Sequence, residues 1–485
     1  MKLNRVRLLR RLLDLQKSAG DDEVVDEDRL SKLPDEVLLH ILDMMNTLDA
    51  IRTCIVSKRM RSLLPMLSQI VILLGSRDWL RMNGVVADVT DKMLRTRSPQ
   101  IGIRKLKFRF LLRLDDCLSI GKTVAFAMAT QKLDAAEFEI STQTSSVHYT
   151  RDDLLYFAEQ FNTFLGACPD AFAGLTRLHL QDMSFRETDI PNILSTCKRL
   201  ESLRLFHCDA GSHSGLKVEH AGLVELDITL GRFTTLELIF LPKLEELTYY
   251  GWLYYENPLV LGFVPRLSKL NLSNKVISDK TLVLSNLLVS APSISKLHLD
   301  FQSEKIWVQP EGPKLLARVL RKLRTVDLEN VREGCDIAWT MFILEAAPYL
   351  EDLCVTVSGH RCPMDPIFSE KRDVKWEPSP ADRKHTNLAK LTIHGFQSHH
   401  IFTGYVRRIM ECAVNIKEVS LHDWKVCKRC TERKVDIKEV HLSGYPQTAG
   451  EKDLLRKMIL EGLVMTSVKH DYVYRVGYVI RPSRS

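Results

Sequence analysis

One six-residue pattern recurs twelve times along the chain and limits its fold more than any other feature: an apolar residue, two others, an apolar residue, one other, an apolar residue. It reads IRKLKF (103–108), LTRLHL (175–180), LESLRL (200–205), LVELDI (223–228), LEELTY (244–249) and LSKLNL (267–272). It continues as ISKLHL (294–299), LRTVDL (323–328), LEDLCV (350–355), LAKLTI (388–393), IKEVSL (416–421) and IKEVHL (437–442), with AAEFEI (135–140) as a weaker copy. From Leu175 to Leu350 the steps between copies are 25, 23, 21, 23, 27, 29 and 27 residues. Alternate side chains of a strand share one face, so Leu178 and Leu180 point into a core while Arg177 and His179 point out. A unit this short cannot bury its apolar face alone; stacking on the next copy makes the core. Between the strands the spacing predicts helices, in DIPNILSTCKRL, TLVLSNLLVSAPSI, WTMFILEAAPYL and FTGYVRRIMECAVNI.

The repeat length and register resemble the leucine-rich repeat. The expectation over residues 69–357 is therefore an α/β repeat solenoid, a horseshoe of parallel strands with outer helices. Such arrays curve, and their concave wall is a common binding surface. The outward positions form a mainly polar ladder in which Arg177, His179, Arg204, Glu225, Asp227, Lys269, Lys296 and His298 are the candidate substrate-binding residues. Taken singly, each is equally a solvated strand position.

Ahead of the repeats, residues 28–68 read as three short helices. Pro34 suits the first position of a helix, and Asp35 and Glu36 oppose the helix dipole. Val37, Leu38, Ile41, Leu42 and Met45 follow the spacing of one buried face. Thr47 is a candidate N-cap of the second helix, whose apolar stripe is Ala50, Ile51, Cys54 and Ile55. Ser57 is a candidate cap of the third, with Met60, Leu63 and Leu64 on one side. Forty residues of this kind bury little by themselves, so the unit is either a cap on the array or a docking piece. The order DRLSKLPDEVLLHIL, TLDAIRTCIVSKRMRSLL and then IVILL resembles the F-box of plant F-box proteins. That resemblance implies a non-catalytic subunit of an SCF-type (cullin–RING) ubiquitin ligase. It would dock on a Skp-type adaptor, and through it a cullin scaffold, while the solenoid holds an unknown target protein. The adaptor-binding residues it implies are Leu33, Pro34, Asp35, Glu36, Ile41, Leu42, Ala50, Arg52, Ser57, Lys58, Arg59 and Met60. Met60 and Leu64 stand where the family usually has Trp. The competing reading is an interaction scaffold without a ligase role.

Residues 358–386 contain HRCPMDPIFSEKRDVKWEPSPADRKH, polar and with four prolines, and read as a loop or flap. Residues 387–430 resemble the FBD region of plant F-box/leucine-rich-repeat proteins, through Leu391, Ile393, Gly395, Phe396, Tyr405, Ile409, Met410, Ala413 and Leu421. This implies strand, helix, strand continuing the solenoid. Residues 431–485 read as a last strand and a capping helix. Residues 1–27 are a charged tail expected to be disordered, basic at first and running into DDEVVDED (21–28).

Composition excludes several classes. The net charge of +7 over 485 residues is scattered, so no nucleic-acid face is expected. No apolar run reaches the length of a membrane span. Eleven irregularly spaced cysteines read as reduced thiols of the cytoplasm, the nucleus or both. Cys427 and Cys430 form the one close pair, read as a turn; a zinc site would need ligands such as His422, His441 or Cys412 in no recognisable pattern. G-x-S-x-G, P-loop and H-E-x-x-H motifs are absent, so neither an enzyme nor a metal or other cofactor is expected. A small molecule lodged in the solenoid is allowed by family analogy, but the ladder alternates in sign and shows no concentrated basic floor.

Overall fold

The computed structural model describes residues 32–55, 57–73, 79–142, 149–211, 214–252, 258–274, 281–301, 306–332, 337–358, 376, 384–423, 444–461 and 478–480. The charged tail, most of the flap, IKEVHL, and the Cys427/Cys430 pair with His441 lie outside these residues. The chain divides into two compact units, residues 1–67 and 68–485.

The first unit contains α1 (Asp35–Asp43), α2 (Thr47–Ile55) and α3 (Lys58–Leu63), the last running into a 3-10 turn at Leu64–Met66. Pro34 is the N-cap of α1 rather than its first residue, and its carbonyl accepts the Val37 and Leu38 N–H groups. The cap of α2 also lies one residue earlier than expected. Asn46 Oδ1 accepts the Leu48 N–H at 3.1 Å, and Thr47 is buried. Ser57 caps α3 by accepting the Met60 N–H at 3.3 Å. Leu38, Leu42, Ala50, Cys54, Met60 and Leu63 are buried, whereas Val37 and Ile55 are 41% and 66% exposed. The wide apolar stripes expected of α1 and α2 are thus narrower in the fold, because two-turn helices have too few neighbours to cover them.

The second unit is built on a fourteen-stranded sheet. Its strands include β1 (Gln69–Leu73), β2 (Ile103–Leu111), β3 (Leu133–Ser141), β4 (Arg177–Ser184) and β5 (Ser202–Asp209). After β6 (Leu216–Glu219) come β7 (Glu225–Thr229), β8 (Leu236–Phe240), β9 (Glu246–Trp252), β10 (Leu259–Phe263) and β11 (Lys269–Asn274). The series ends with β12 (Lys296–Asp300), β13 (Thr325–Arg332), β14 (Asp352–Ser358), β15 (Lys390–His394), β16 (Glu418–His422) and β17 (Tyr478–Ile480). Among the described residues the sheet order is β1-β2-β3-β4-β5-β7-β9-β11-β12-β13-β14-β15-β16-β17, with β17 alone antiparallel to its neighbour. Every copy of the motif within the described residues supplies a strand, as do IVILL and AAEFEI. The register aligns Leu178, Leu203, Leu226, Leu247, Leu270, Leu297, Val326, Leu353, Leu391 and Val419 in one row, all fully buried. The FBD-like stretch gives strand, helix (His400–Cys412) and strand, in the expected order.

The outer layer differs from expectation in the middle of the array. Long helices α4 (Trp79–Arg95), α5 (Leu114–Thr130) and α6 (Arg151–Ala167) follow β1 to β3, and shorter helices follow β4, β11, β12, β13, β15 and β16. Gly121 permits the close approach of α5 to α6, since a Cβ there would lie 2.6 Å from Phe164 and 2.7 Å from the Cys168 sulfur. Between β5 and β11 the outer helix is replaced by a second parallel sheet in the order β10-β8-β6. These are the shortest repeats. A strand crosses the outer layer at about 3.3 Å per residue, where a helix needs more than twice as many residues for the same distance.

Six strands, β4, β5, β7, β9, β13 and β15, carry a left-handed residue four positions after their first inward leucine or valine, within the strand or just past its end. Asp182, His207, Leu230 and Asn330 have φ of 55, 51, 56 and 57°, and Gly251 and Gly395 take 81 and 72°. Asp, Asn, His and Gly tolerate this conformation; Leu does so at a cost of about 1–2 kcal/mol. Leu230 is also largely exposed and has little packing to lose. Leu230→Gly is expected to raise the free energy of urea unfolding by about 0.5–1 kcal/mol, the glycine entropy cost offsetting part of the relief. In the same assay Leu203→Ala should lower it by about 2–5 kcal/mol through the cavity it leaves in the buried row.

Candidate functional site: a charge-paired sheet face and a helical docking unit

The outward face of the large sheet carries three rows of side chains, because residues in register in adjacent strands lie about 4.8 Å apart. The first row runs Glu137, Arg177, Ser202, Glu225, Glu246, Lys269, Lys296, Thr325, Asp352, Lys390, Glu418. The second includes Arg109, Glu139, His179, Arg204, Asp227, Thr248, Asn271, His298, Asp327 and Cys354. All eight candidate substrate-binding residues therefore stand on one face, as the alternation predicts.

Most of them are already paired with one another or with neighbours. Arg177 reaches Glu225 at 3.3 Å and Arg204 reaches Asp227 at 2.7 Å, while Lys269 lies 3.1 Å from Glu246. His179 sits 3.6 Å from Glu139, and His298 lies 3.2 Å from Asp327 and 3.6 Å from Glu329. Lys105 and Lys107 both hold Glu137, at 2.8 and 3.1 Å. The more exposed of these pairs, such as Lys269 with Glu246, are each worth about 0–1 kcal/mol. Together the pairs order the charge along this face into a pattern of alternating sign.

Burial acts on the same groups. It would raise the Glu137 carboxyl, but Lys105 and Lys107 outweigh it and hold the group below the usual range. Burial would likewise lower His298, yet Asp327, Glu329 and Asp300 outweigh it and favour the charged ring. Asp352 is raised by burial and by Glu418 and Asp327, against Lys390.

Several members of this face escaped the sequence reading. Glu137 and Glu139 lie in the weak copy AAEFEI, Lys105 and Lys107 in the first copy, and Arg109 just past it. Thr229, Tyr250, Asp300 and Glu329 form part of a third row beyond the six-residue motif; carrying the alternation two residues further finds them. Among the described residues no group of three or more His, Cys, Asp or Glu is placed to hold an ion. Cys412 bonds the Ile409 carbonyl, and His422 stacks on His394 at 4.6 Å. No helix of the described residues is long and apolar enough to cross a membrane.

In the helical unit Pro34, Asp35, Glu36, Arg52, Lys58 and Arg59 are exposed, and Leu33, Ile41 and Ser57 half-buried. Arg59 ties the start of α1 to α3, donating to Asp35 Oδ1 and to the Leu33 carbonyl, both at 2.7 Å. Arg52 pairs with Asp49 at 2.7 Å. Leu42, Ala50 and Met60 are buried, so in the free chain they hold the unit's shape. Val37, Met44, Ile55 and Met66 are large exposed apolar residues that the periodicity did not single out as a surface.

Residues 131–443 match the family model of the At1g61320/AtMIF1 leucine-rich-repeat domain, and residues 30–69 match the F-box domain. Similar proteins include the putative FBD-associated F-box protein At5g22720 of Arabidopsis thaliana. It is 24% identical over 341 residues, 68% of this chain and 67% of that protein. The F-box/FBD/LRR-repeat protein At3g52680 of the same plant is 25% identical over 381 residues, 72% of this chain and 75% of that protein. Among solved structures, the yeast Rad7 and Elc1 complex aligns over 74% of this chain and 94% of that chain. Its identity is 14% and its TM-score 0.32, too distant a likeness to bear on fold or partners.

The pairing on the sheet face has a consequence for acid stability. Burial would raise Glu139, but His179 and the Arg109 guanidinium outweigh it and hold the carboxyl at about 2, below its ordinary 4.5. A depressed carboxylate stabilises the fold above the unfolded value, and that contribution is lost as pH falls toward 2. Glu139→Gln is expected to cost on the order of 2 kcal/mol at pH 7 and close to nothing near pH 2. Urea titrations at the two pH values measure the difference.

Proposed function

The chain belongs to the plant F-box/leucine-rich-repeat proteins with an FBD-like region, and from that premise we propose that it is the substrate-receptor subunit of an SCF-type ubiquitin ligase. Members of this family are typically non-catalytic adaptors. On this reading the F-box docks on a Skp-type adaptor and thereby a cullin scaffold, and the polar face of the large sheet holds a target protein. The chain contributes proximity and orientation for a ubiquitin transfer catalysed elsewhere.

The observation that carries the proposal is one chain joining a match to the F-box domain with a long sheet whose outward face is a ladder of paired charges. On the F-box, contact falls to the residues that reach solvent: Leu33, Pro34, Asp35, Glu36, Ile41, Arg52, Ser57, Lys58 and Arg59, joined by Val37 and Ile55. Leu42, Ala50 and Met60 support them from inside. The described cysteines are free thiols, in keeping with a protein of the cytoplasm, the nucleus or both. One observation favours the second reading, an interaction scaffold without a ligase role. Met60 and Leu64 replace the family's tryptophans, and Trp is the residue that most often anchors an interface.

Pull-down of a Skp-type adaptor by the full chain separates the two. The ligase reading expects capture that is lost on deleting residues 28–67. Ile55→Asp should weaken capture by about tenfold or more without changing the thermal melt. A full chain that binds no Skp-type adaptor would leave the scaffold reading in place.

A further inference from the structure

We propose that the rim of the large sheet where the chain enters β13 binds an acidic segment of a partner protein. The stretch GPKLLARVLRKLRTV (312–326) holds five basic residues and no acid. Its apolar residues Leu316, Leu320 and Leu323 are buried. Their burial anchors the short helix Pro313–Leu316 and the turn after it, and leaves Lys314, Arg318, Arg321 and Lys322 exposed. Lys314 and Arg318, four apart, share one side of the helical turn, and Arg321 and Lys322 follow on the way into the strand. The rim continues across neighbouring repeats. The N–H groups of Ser268, Ser295, Arg324 and Glu351 each donate to a carbonyl one strand earlier, at 3.0, 2.9, 2.8 and 2.8 Å. Arg266, exposed, precedes Leu267 as Lys322 precedes Leu323, so it stands two strands before Lys322, about 10 Å away along the rim.

These cations differ from those of the polar ladder in having no counter-charge. Arg177, Arg204 and Lys269 on the sheet face are each held by a carboxylate. Among the described residues no carboxylate pairs with Arg266, Lys314, Arg318, Arg321 or Lys322. Glu311, just before the stretch, is buried and accepts the Ser285 N–H at 3.0 Å, and Glu351 pairs with Arg324. Asp327 stands on the sheet face, three residues and about 10 Å along β13 from Arg324. Like charges gathered this closely repel one another, and a polyanion laid across them removes that cost.

The surroundings select the kind of polyanion. Glu245 is exposed on the same rim three strands before β13, and Glu351 is exposed one strand after it. A broad anionic plane such as a membrane would meet acids at both ends, whereas a narrow chain fits between them. Single-stranded nucleic acid binds best where open aromatic rings stack its bases. The ring beside this patch, Tyr349, already carries the Arg324 guanidinium, 5.6 Å from its centroid. What the patch does offer is Leu315, 58% exposed next to Lys314. Carboxylates with an apolar residue among them, on an extended peptide, match the charge, the width and the leucine.

The patch lies off the polar ladder, and its role is independent of the ligase reading. Fluorescence anisotropy of a fluorescein-labelled Glu-Glu-Leu repeat peptide, titrated with the purified full chain and no adaptor, tests it. Saturation is expected with a dissociation constant of about 1–50 µM at low salt, weakening as salt is added. A Gln-Gln-Leu peptide should not bind. Arg318→Glu and Lys322→Glu together should weaken binding by about tenfold or more. Lys243→Glu, on the rim beside Glu245, should change it by less than about twofold. All three side chains are exposed, and unchanged circular-dichroism melts verify that each variant folds. The proposal is overturned by a wild type that does not bind the acidic peptide, or by a Lys243 variant as impaired as the double one. Tighter binding to oligo-uridine or to phosphatidylserine vesicles than to the peptide also overturns it.

Discussion

A row of leucines and valines held in register between parallel strands is the interaction on which the rest of the second unit depends. Each inward side chain from Leu178 to Val419 meets its counterpart one strand away, and burying a side chain of that size is worth about 1.5–3 kcal/mol. No repeat could retain that gain alone. The strand, its turn into the outer layer and the outer element are therefore positioned by the neighbours on either side, and the outward residues inherit that positioning. The polar ladder is ordered because the apolar row beneath it is.

Two constraints follow from the same stacking. The backbone turns at one register position in six of the strands, at Asp182, His207, Leu230, Gly251, Asn330 and Gly395, each time through a left-handed residue. Buried histidines tie successive repeats together where the outer elements return to the sheet. His220 accepts the Gly222 N–H at Nδ1 and has Nε2 3.1 Å from the Cys197 carbonyl. His385 repeats the device with the Leu388 N–H and the Ala347 carbonyl. In both, an accepting Nδ1 leaves Nε2–H as the donor, so the neutral ring serves the purpose. Burial favours that form at His220.

The function proposed for the chain separates recruitment from recognition. Recruitment needs a small unit whose own core is complete, with Leu42, Ala50 and Met60 inside and a mixed apolar and charged surface outside. Recognition needs a surface with a distinctive pattern, and the large sheet supplies it as alternating charge rather than as a pocket. Because Arg177, Arg204, Lys269 and His298 are each paired in the free chain, a partner gains little from any one of them. On the proposed reading, specificity resides in matching many at once.

The repeat, the inward rows, the outward face and the N-terminal helical unit were all legible in the sequence, because each depends on a local period that the chain states directly. Eight outward candidates could be placed on one face from alternation alone, before any neighbour was known. Which charges pair was not legible: Arg177 with Glu225, or Arg204 with Asp227, joins residues 23 to 48 positions apart whose meeting depends on register between strands. Tertiary packing also decided that Val37 and Ile55 face out, since an amphipathic period shows a stripe but not how many neighbours will cover it. The small second sheet belongs to the same class. A repeat too short for an outer helix takes a strand instead, and whether LELIF and LVLGF lie covered or bare is settled by what stacks around them, not by their own residues.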